Sequence, residues 1–586
     1  MANLQTLLTQ MEEHHSLFED EIRKLPVPVC KAFVKNGKIA PSSFKITDHV
    51  LGTKDVQKVD EHFKKCAGNS GNKVLEAVQG EADHSGLRIA VLFSGGPAAG
   101  GHNVIVGIKK AIGSKNTLLG TVAGPKGLLA GEFFEVTEDA ANGIINTGGF
   151  DFLGSDRTKI KTDEQFAKVK KVVKEHKLDG IIVVGGDDSN TNAAVLAELL
   201  YDDGVKVIGV PKTIDGDLQI GSILPISFGY DTATKIYSEM VGNILQDTPS
   251  SRKYWHFIKL MGRSASHVAL EVALQTKPAL ALISEEIYEK KMSLDQIVSN
   301  IANTIALRAA SGINHGVILI PEGLIEFIPE MKDMITELNE VIAKYHEDLE
   351  ELQLPEKKDF VYKQFSADSA KLMASLPGEI ETMLLLERDS HGNLPVSQIP
   401  TENLMIQMVE DKLHMMQKHA DDRHHLGLDE AQEAKFLKFK LSTLNHFFGY
   451  EGRCGAPTLF DAAYCLNLGL LAGSLVLDGH TCYIAAITEL DKGGKALALP
   501  LTGLLNIERR HGADEMVIEK ALVKINSPAF QFYEERRTIW ARSDHFSSPG
   551  PRQLWGPTAH QLPYTVALNQ GYGSLIFNLG DPHSLT

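Results

Sequence analysis

The sequence predicts an α/β protein that carries a helical insertion and an N-terminal helical extension. From Gly86 onward, short apolar runs alternate with amphipathic stretches of helical spacing, which is the pattern of βαβ units and a parallel sheet. Residues 325–447 interrupt this alternation with long, charged stretches of helical period, so we expect a helical insertion there. Residues 1–85 are mixed in charge and helix-like, and we interpret them as an extension packed on the main body.

The strands of the predicted sheet are short apolar runs. We place them at residues 87–93, 180–184, 205–210, 256–261, 279–284 and 316–320, with another near 482–487. Runs of this kind are typical of parallel strands that are buried on both faces.

Length and charge limit the classes of protein to consider. A chain of 586 residues has room for two to four domains at roughly 100–200 residues each. The formal net charge of −16 argues against binding to nucleic acid or to an anionic membrane, although a small anionic substrate needs only a local basic pocket. The five cysteines are few, odd in number and not spaced as metal ligands, so we expect reduced thiols in a cytoplasmic protein. We see neither a signal peptide nor an apolar run as long as a membrane span, and we expect no membrane association.

Two acidic segments follow neighbouring strands at the point where each strand ends. Asp187 and Asp188 follow one strand, whereas Lys212, Asp215 and Asp217 follow the next. The carboxyl ends of strands are where open α/β sheets bind ligands, and this many charges exceed what packing needs. We infer metal-assisted phosphoryl transfer in which Asp187 binds Mg²⁺, Asp215 accepts a proton and Lys212 offsets developing negative charge.

Both acidic segments also have ordinary structural explanations. Either Asp187 or Asp188 is a suitable cap for the start of a helix. Asp215 and Asp217 flank Gly216, and turns are commonly rich in Asp and Gly.

A glycine-rich loop follows the first predicted strand. Ser94–Asn103 contains Gly95 and Gly96 and leads into an apolar helix, so its backbone N–H groups are suited to a phosphate. The loop is neither a Walker A motif nor G-x-G-x-x-G, and a plain tight turn between strand and helix remains the alternative. Arg263 and Glu322 follow two further strands, where they are suited to a phosphate and to sugar hydroxyls. Each on its own also fits a surface charge.

Taken in order, these segments resemble the phosphofructokinase family, and within it the long pyrophosphate-dependent branch. The resemblance covers roughly residues 86–500. The motifs that carry it are Gly95-Gly96 with Gly100–Asn103, Gly185–Asn190, Pro211–Asp217, Lys253-Tyr254, Met261–Arg263, Pro321–Gly323 and Tyr450–Arg453.

The resemblance implies a phosphofructokinase-like fold with two Rossmann-like parallel-sheet domains. The expected organisation is an N-terminal helical extension at 1–85, a donor-phosphate-binding domain at 86–226 completed by about 450–545, a sugar-phosphate-binding domain at 227–324, the helical insertion at 325–447 and a C-terminal tail at 546–586.

The resemblance also implies transfer of a phosphoryl group to the 1-hydroxyl of fructose 6-phosphate, with Mg²⁺ as cofactor. Asp215 matches the proton acceptor and Asp187 the magnesium-associated carboxylate. The positions that match diphosphate-binding residues are Gly95, Gly96 and Arg157. The positions that match sugar-site residues are Thr213, Ile214, Asp215, Met261, Gly262, Arg263, Glu322, Tyr450, Glu451, Gly452 and Arg453. Lys253 and Tyr254 match positions that reach a neighbouring subunit's site, which implies a homodimer with shared sites.

Two residues indicate the phosphoryl donor. ATP-dependent relatives typically carry glycine where this chain has Asp188 and Lys212. Asp188 would fill the space around the α-phosphate of a nucleotide and repel it, whereas Lys212 would attract compact pyrophosphate. We therefore count both as catalytic-site residues, together with Asp215.

The first loop departs from the family pattern. It reads Pro97-Ala98-Ala99-Gly100, where relatives usually have proline before the glycine, so we expect a looser turn. Two alternatives remain open, namely an ATP-dependent 6-phosphofructokinase and a non-catalytic sugar-phosphate-binding regulatory subunit. The chain retains Asp215 and Asp217, which favours a catalytic protein.

Overall fold

The computed structural model of the protein describes residues 16–80, 84–345, 348–349, 352–386, 399–510, 513–556 and 558–583. Residues 1–15 of the predicted extension, 387–398 of the predicted insertion and 584–586 of the predicted tail lie outside the described residues. The chain divides into two units. As far as their ranges are described, unit 1 comprises Met1–Ala233, Glu451–Ala521 and Arg552–Thr586, and unit 2 comprises Thr234–Tyr450 and Leu522–Pro551.

The strands are numbered in chain order. They are β1 Val27–Val29, β2 Val34–Lys35, β3 Lys38–Ile39, β4 Ser42–Val50, β5 Lys73–Gln79, β6 Arg88–Ser94, β7 Thr117–Thr121, β8 Phe133–Glu135, β9 Ser155–Asp156, β10 Gly180–Gly185, β11 Lys206–Pro211, β12 Trp255–Leu260, β13 Leu280–Ala281, β14 Gly316–Pro321, β15 Thr443–Phe448, β16 Tyr483–Thr488, β17 Lys495–Pro500, β18 Leu505–Arg510, β19 Ala513–Ile518 and β20 Asp581–His583.

The α-helices are referred to by their ranges. They are Leu17–Ile22, Val56–His62, Lys64–Ser70, Gly101–Ile112, Gly124–Ala130, Glu138–Ile144, Asp163–His176, Asp187–Leu199, Tyr230–Ser251, His267–Thr276, Ser284–Glu289, Leu294–Ala310, Leu324–Phe327, Pro329–Lys344, Leu354–Gln364, Ala367–Ser375, Gly378–Leu386, Thr401–Lys418, Ala420–Arg423, Glu430–Lys438, Leu459–Leu477, Pro528–Arg542 and Tyr564–Gln570.

Unit 1 is built on a mixed sheet whose centre is parallel. The strand order is β4-β5-β17-β16-β11-β10-β6-β7-β8, and β9 pairs with β6. Strands β16, β11, β10, β6 and β7 run parallel and β9 pairs parallel with β6, whereas β17, β5, β4 and β8 pair antiparallel. The predicted strands at 87–93, 180–184, 205–210 and 482–487 are confirmed to within one or two residues.

The predicted N-terminal extension contributes strands as well as helices. Its described part holds three short α-helices, but β4 and β5 pair with each other and join the main sheet through β17. Val74, Leu75 and Ala77 of β5 are buried. The helix-like composition misled the sequence prediction, because pairing with a sheet edge supplies the backbone hydrogen bonds that a helix would otherwise form internally.

The helix Leu459–Leu477 is the core helix of unit 1. It is long and apolar enough to cross a membrane, with a mean hydropathy of 1.5, yet every residue is buried inside the protein. It packs closely against the helix Gly101–Ile112 at glycines of both helices, since a Cβ on Gly107 would lie 2.2 Å from the carbonyl oxygen of Leu466 and one on Gly469 would lie 2.2 Å from that of Val104. The sequence prediction of no apolar run near this length overlooked the helix.

Unit 2 is built on a four-stranded parallel sheet in the order β13-β14-β12-β15. The predicted strands at 256–261 and 316–320 are confirmed, whereas the one at 279–284 is reduced to Leu280–Ala281. Strand β15 was missed because it begins at the end of the stretch interpreted as the helical insertion.

The helices of the insertion share one hydrophobic core with this sheet. Phe257 and Ile318 from the sheet belong to the same buried cluster as Met331, Leu384 and Leu404 from the insertion. The insertion is therefore an integral part of unit 2.

Unit 2 also takes a later segment of the chain. The predicted donor domain included about 450–545, but Leu522–Pro551 belongs to unit 2. The reason is the helix Pro528–Arg542, whose Tyr533 hydroxyl donates to the carbonyl oxygen of Ala281 at 2.6 Å.

A buried ion pair connects the sheet of unit 2 to the insertion. Lys259 Nζ on β12 lies 3.0 Å from Glu402 Oε2 on the helix Thr401–Lys418, and both side chains are less than a tenth exposed. The Lys259 ammonium also lies 4.8 Å from the ring centre of Phe447.

We predict that Glu402→Leu lowers the free energy of unfolding of unit 2 by about 3–5 kcal/mol, because it leaves the Lys259 ammonium buried without a counter-charge. Urea unfolding followed by tryptophan fluorescence measures the change, since Trp255 and Trp540 are buried in unit 2. The double change Lys259→Met with Glu402→Leu should regain most of the loss. Lys412→Met, which breaks an exposed pair with Asp295, should cost less than about 1 kcal/mol. Equal losses at both sites would contradict the prediction.

Candidate active site

The two acidic segments lie side by side because their strands are neighbours. Strands β10 and β11 pair in parallel with Gly185 opposite Pro211, so both end at the same level of the sheet. The helix Asp187–Leu199 begins immediately after β10, with Gly186 at its N-cap. Asp187 and Asp188 therefore lie in the first helical turn, where the helix dipole favours negative charge.

Asp187 lies close to a lysine that the sequence analysis did not single out. Lys520 Nζ is 3.9 Å from Asp187 Oδ2 and 3.7 Å from Asp217 Oδ2. Burial raises the pKa of Asp187, while the charge of Lys520 opposes that rise and Asp188 and Asp217 add to it. Asp187 Oδ2 is buried and has no hydrogen-bond partner. No local motif could have identified Lys520, because it is more than 300 residues from Asp187 in the chain.

Asp188 is held by a different cation. Its Oδ1 accepts a hydrogen bond from Lys159 Nζ at 3.2 Å, and the same ammonium lies 3.7 Å from Glu515 Oε2 on β19. The Asp188 side chain is 57% exposed, so solvent screens this pair. Lys159 reduces the repulsion that we expected Asp188 to exert on a nucleotide. The steric bulk of Asp188 is therefore the stronger reason to expect that a nucleotide is excluded.

Lys212 is a buried cation next to the glycine-rich loop. Its Nζ lies 5.9 Å from the ring centre of Phe150, and the residue is 7% exposed. Burial lowers the pKa of Lys212 to about 8, against the opposing charges of Asp215 and Asp217. The charges of two arginines, Arg157 and Arg453, contribute to this lowering of the pKa.

The glycine-rich loop brings these cations together. Gly95 has φ of +87°, a conformation that favours glycine, and a Cβ there would lie 3.5 Å from Lys212 Nζ. A Cβ on Gly96 would lie 3.7 Å from Arg157 Nη2 and 3.9 Å from the guanidinium of Arg453. Three cations thus surround a loop of small residues, which is an arrangement suited to a polyanionic phosphate group. Arg453, grouped with the sugar residues from sequence, lies at this loop.

The loop is fixed more firmly than its sequence suggested. Ala98 and Ala99 are fully buried, and the amide of Gly100 donates to the carbonyl oxygen of Gly148 at 3.2 Å. The amide of Gly95 donates to the carbonyl oxygen of Asp156 at 3.0 Å. The expectation of a looser turn is therefore not met, because neighbouring backbone holds both ends of the loop.

The segment after β11 carries Asp215 at a partly exposed position. The amide of Asp215 donates to Thr213 Oγ1 at 3.1 Å, and Ile214 is buried beneath it. The carbonyl oxygen of Asp217 accepts a hydrogen bond from the amide of Ala521 at 2.7 Å. These contacts fix the backbone while leaving the Asp215 side chain partly accessible.

A buried carboxylate behind the loops was missed by the sequence analysis. Asp461 accepts hydrogen bonds from the amides of Gly229 at 3.0 Å and Thr232 at 2.8 Å. A Cβ on Gly229 would meet both Ala98 and Ile214, so Asp461 anchors the backbone on which both loops rest. Burial, with the charge of Asp231, raises the pKa of Asp461 to about 7. The sequence signal was Thr458 followed three residues later by an acid before an apolar helix.

In unit 2, three parallel strands end together and carry predicted sugar-site residues. The amide of Gly262 donates to Glu322 Oε2 at 3.0 Å, and the amide of Met261 donates to the carbonyl oxygen of Phe448 at 3.0 Å. Arg263 is exposed, and Tyr450 is 68% exposed. The structure thus brings the segments 261–263, 322 and 450 to one edge of the sheet.

Lys253 and Tyr254 lie at the other end of β12. They precede its first residue, Trp255, whereas Met261 follows its last, which separates the two groups by about 20 Å at 3.3 Å per residue. Lys253 is exposed, and its Nζ lies 4.7 Å from the ring centre of Tyr254. The pair therefore does not join the other residues of unit 2 within one chain.

The carboxylates of unit 1 fit a divalent cation that brings further ligands with it. Throughout the part of the chain that the structure describes, no group of three or more His, Cys, Asp and Glu side chains could hold a metal. Asp187 and Asp217 both lie within 4 Å of Lys520 Nζ, and Asp187 Oδ2 is buried without a partner. Mg²⁺ takes one or two carboxylates and completes its shell with phosphate oxygens and water, so this donor set suits it.

Comparison with known proteins yields consistent relatives. The family model described as Phosphofructokinase matches residues 88–356. Pyrophosphate–fructose 6-phosphate 1-phosphotransferase of Treponema pallidum is 48% identical over 483 residues, which cover 81% of this chain and 82% of the relative. The beta 2 subunit of the Arabidopsis thaliana protein of that name is 45% identical over 499 residues, covering 83% and 82%. The crystal structure of pyrophosphate-dependent phosphofructokinase from Nitrosospira multiformis matches at 15% identity and a TM-score of 0.47, covering 85% of this chain and 99% of that one.

The depressed pKa of Lys212 predicts how anion binding depends on pH. Lys212 is cationic below pH 8 and becomes neutral as the pH rises through about 8, so the affinity for an anion should fall there. Sulfate is a suitable probe because its own charge is constant in this range. Calorimetric titration should show roughly tenfold weaker sulfate binding at pH 9.5 than at pH 7, because one charge interaction with the anion is lost.

Two variants separate this effect from a general alkaline change. Lys212→Arg retains the positive charge and should bind sulfate almost equally at both pH values. Lys206→Arg, at the other end of β11, should behave as the unaltered protein does. The same alkaline loss in Lys212→Arg would contradict the assignment.

Proposed function

The chain belongs to the phosphofructokinase family, and we propose that it reversibly transfers a phosphoryl group from pyrophosphate to the 1-hydroxyl of fructose 6-phosphate. The products are fructose 1,6-bisphosphate and phosphate. The observation that carries the proposal is the convergence of Lys212, Arg157 and Arg453 on the Gly95–Gly96 loop, beside the acids that follow β10 and β11. The names of the relatives at 45–48% identity support the same reaction.

In the proposed mechanism, the residues of unit 1 hold the donor and take up the proton. Asp215 accepts the proton of the 1-hydroxyl as its oxygen attacks phosphorus. Lys212 lies buried at the donor loop, where a preorganised cation stabilises developing charge more strongly than in water. Arg157 and Arg453 bind the oxygens of the donor. Mg²⁺, held through Asp187, would supply further neutralisation of phosphate charge.

The residues of unit 2 recognise the sugar phosphate in this proposal. Arg263 is exposed at the end of β12 and is suited to bidentate contact with a phosphate. Glu322 holds the amide of Gly262 with one oxygen, which fixes the loop that carries Met261 and Arg263. Tyr450 extends the same edge.

We propose that pyrophosphate is the donor chiefly because Asp188 occupies space. Asp188 stands in the first turn of its helix, braced by Lys159, where the relatives that use ATP typically carry glycine. The ion pair with Lys159 weakens the electrostatic repulsion between Asp188 and ATP. To that limited degree it favours the alternative of an ATP-dependent enzyme. The bulk of the side chain remains, and Lys212 adds attraction for a compact donor.

We further propose a cytoplasmic homodimer in which Lys253 and Tyr254 complete the partner's sugar site. The position of this pair at the opposite end of β12 from Met261–Arg263 supports the idea, because it leaves the pair available to another chain. Nucleic acid and membrane have no part in the proposed reaction.

The proposed reaction is tested by turnover of the purified protein with pyrophosphate or ATP as the sole donor. Efficient turnover with ATP alone would overturn the donor assignment, and no turnover with either would favour the regulatory subunit. Asp215→Asn should reduce kcat by about 10²–10⁴-fold with little change in the KM for pyrophosphate, the usual contribution of a general base. Asp411→Asn, at an exposed position of the helix Thr401–Lys418, is the matched control and should retain full turnover. Full activity in Asp215→Asn would show that another group takes the proton.

Asp188→Gly should admit ATP by removing the side chain that fills the nucleotide's path. We expect measurable ATP turnover and at least a tenfold gain in kcat/KM for ATP, with a smaller loss for pyrophosphate. Lys159→Met separates charge from bulk, because it leaves Asp188 in place without its cation. If bulk dominates, Lys159→Met should change the ATP preference by less than Asp188→Gly does. The reverse order would identify charge as the barrier.

A further inference from the structure

Lys520 lies where a metal ion would be expected to approach the acidic centre of unit 1. Its Nζ is 3.9 Å from Asp187 Oδ2 and 3.7 Å from Asp217 Oδ2. The Asp217 side chain is 8% exposed and that of Asp187 is 21% exposed, so solvent offers these carboxylates only partial screening. The ammonium group therefore supplies positive charge at a point shared by both acids.

The backbone fixes the position of this lysine. The hairpin of β18 and β19 ends at Ile518, and the amide of Ile518 donates to Thr191 Oγ1 on the helix that begins at Asp187. Two residues later the amide of Ala521 donates to the carbonyl oxygen of Asp217 at 2.7 Å. The backbone on one side of Lys520 is hydrogen-bonded to the first acidic segment's helix, and the backbone on the other side to the second acidic segment. The position of Lys520 is therefore set by the fold.

The Lys520 side chain borders solvent on one side. It is 36% exposed, while backbone hydrogen bonds of Ile518 and Ala521 anchor the chain on either side. An ammonium and a divalent cation cannot both occupy the few ångströms next to Asp187 Oδ2, because their charges repel strongly at such distances. Binding of a metal at Asp187 therefore requires Lys520 to withdraw.

We propose that Lys520 is a positioning residue that acts as the resident counter-cation of Asp187 and Asp217. It makes binding of a bare divalent cation weak, so that the metal enters together with pyrophosphate, whose oxygens supply the ligands and the negative charge that favour the exchange. The lysine then lies at the edge of the donor site, where it faces an anion instead of two carboxylates. This inference rests on the proposed function in one respect, namely the role of Asp187 as a metal ligand.

Binding of Mn²⁺ alone to the full-length protein tests the proposal without any turnover. Mn²⁺ replaces Mg²⁺ at oxygen ligands, and its free fraction is measured by electron paramagnetic resonance. Lys520→Met removes the charge and keeps an unbranched side chain, and it should bind Mn²⁺ at least tenfold more tightly than the unaltered protein in the absence of pyrophosphate. Lys520→Arg retains the charge and should bind Mn²⁺ as weakly as the unaltered protein.

Two further variants locate the effect. Lys524→Met, four residues along the chain at an exposed position, changes the net charge equally and should leave Mn²⁺ affinity unchanged. Adding Asp187→Asn to Lys520→Met should abolish the gain. The proposal is overturned if Lys520→Met binds Mn²⁺ no more tightly than the unaltered protein, or if the gain survives Asp187→Asn.

The outcome is independent of the reaction catalysed. A protein that turns over neither donor but gains Mn²⁺ affinity through Lys520→Met would refute the proposed function and keep the counter-cation. A protein that turns over pyrophosphate without that gain in Mn²⁺ affinity would support the proposed function and refute the role of Lys520 as counter-cation.

Discussion

The acidic centre depends on one constraint, which is that two parallel strands end at the same level of the sheet. Pairing of Gly185 with Pro211 fixes the start of the helix Asp187–Leu199 beside the segment that carries Lys212 and Asp215. A shift of this register by a single residue would reverse the face of every side chain in the strand and separate the acids. Hydrogen bonds along two buried strands hold the register. The positions of the polar side chains in the site therefore depend on the packing of these apolar strands.

Burial of charge is the second theme of unit 1. Lys212 and Asp461 are both removed from water. Burial lowers the pKa of Lys212 and raises that of Asp461, and both shifts favour the neutral form. When no ligand is bound, buried ionisable groups lower the free energy of unfolding, and the surrounding backbone must hold them in place. The same desolvation strengthens their interaction with any charged group that enters, which is the usual compromise between stability and activity at catalytic sites.

The sequence predicts those parts of the fold and site that depend on local pattern. The strand ends, the glycine-rich loop and the acids after β10 and β11 lie in short segments whose spacing carries the information. Lys520 and Lys159 could not be found in this way, because each reaches the acids through tertiary folding and neither lies in a recognisable motif. The strands β4 and β5 were mistaken for helix because β5 joins the main sheet through β17, which is about 420 residues away in the chain, and β4 pairs in turn with β5. Arg453 was placed with the sugar residues by its motif, and only three-dimensional packing shows it beside Gly96.

The shared core of unit 2 bears on how the chain tolerates changes in length. Phe257 and Ile318 share a buried cluster with side chains from the insertion. The insertion therefore covers an apolar face of the sheet. Excision of residues 325–442, which ends just before β15, would expose that face to water and remove Glu402 from Lys259 at the same time. A minimal version of this protein thus requires a newly designed surface on the sheet, and insertions or deletions are tolerated best in the solvent-facing connections between the helices.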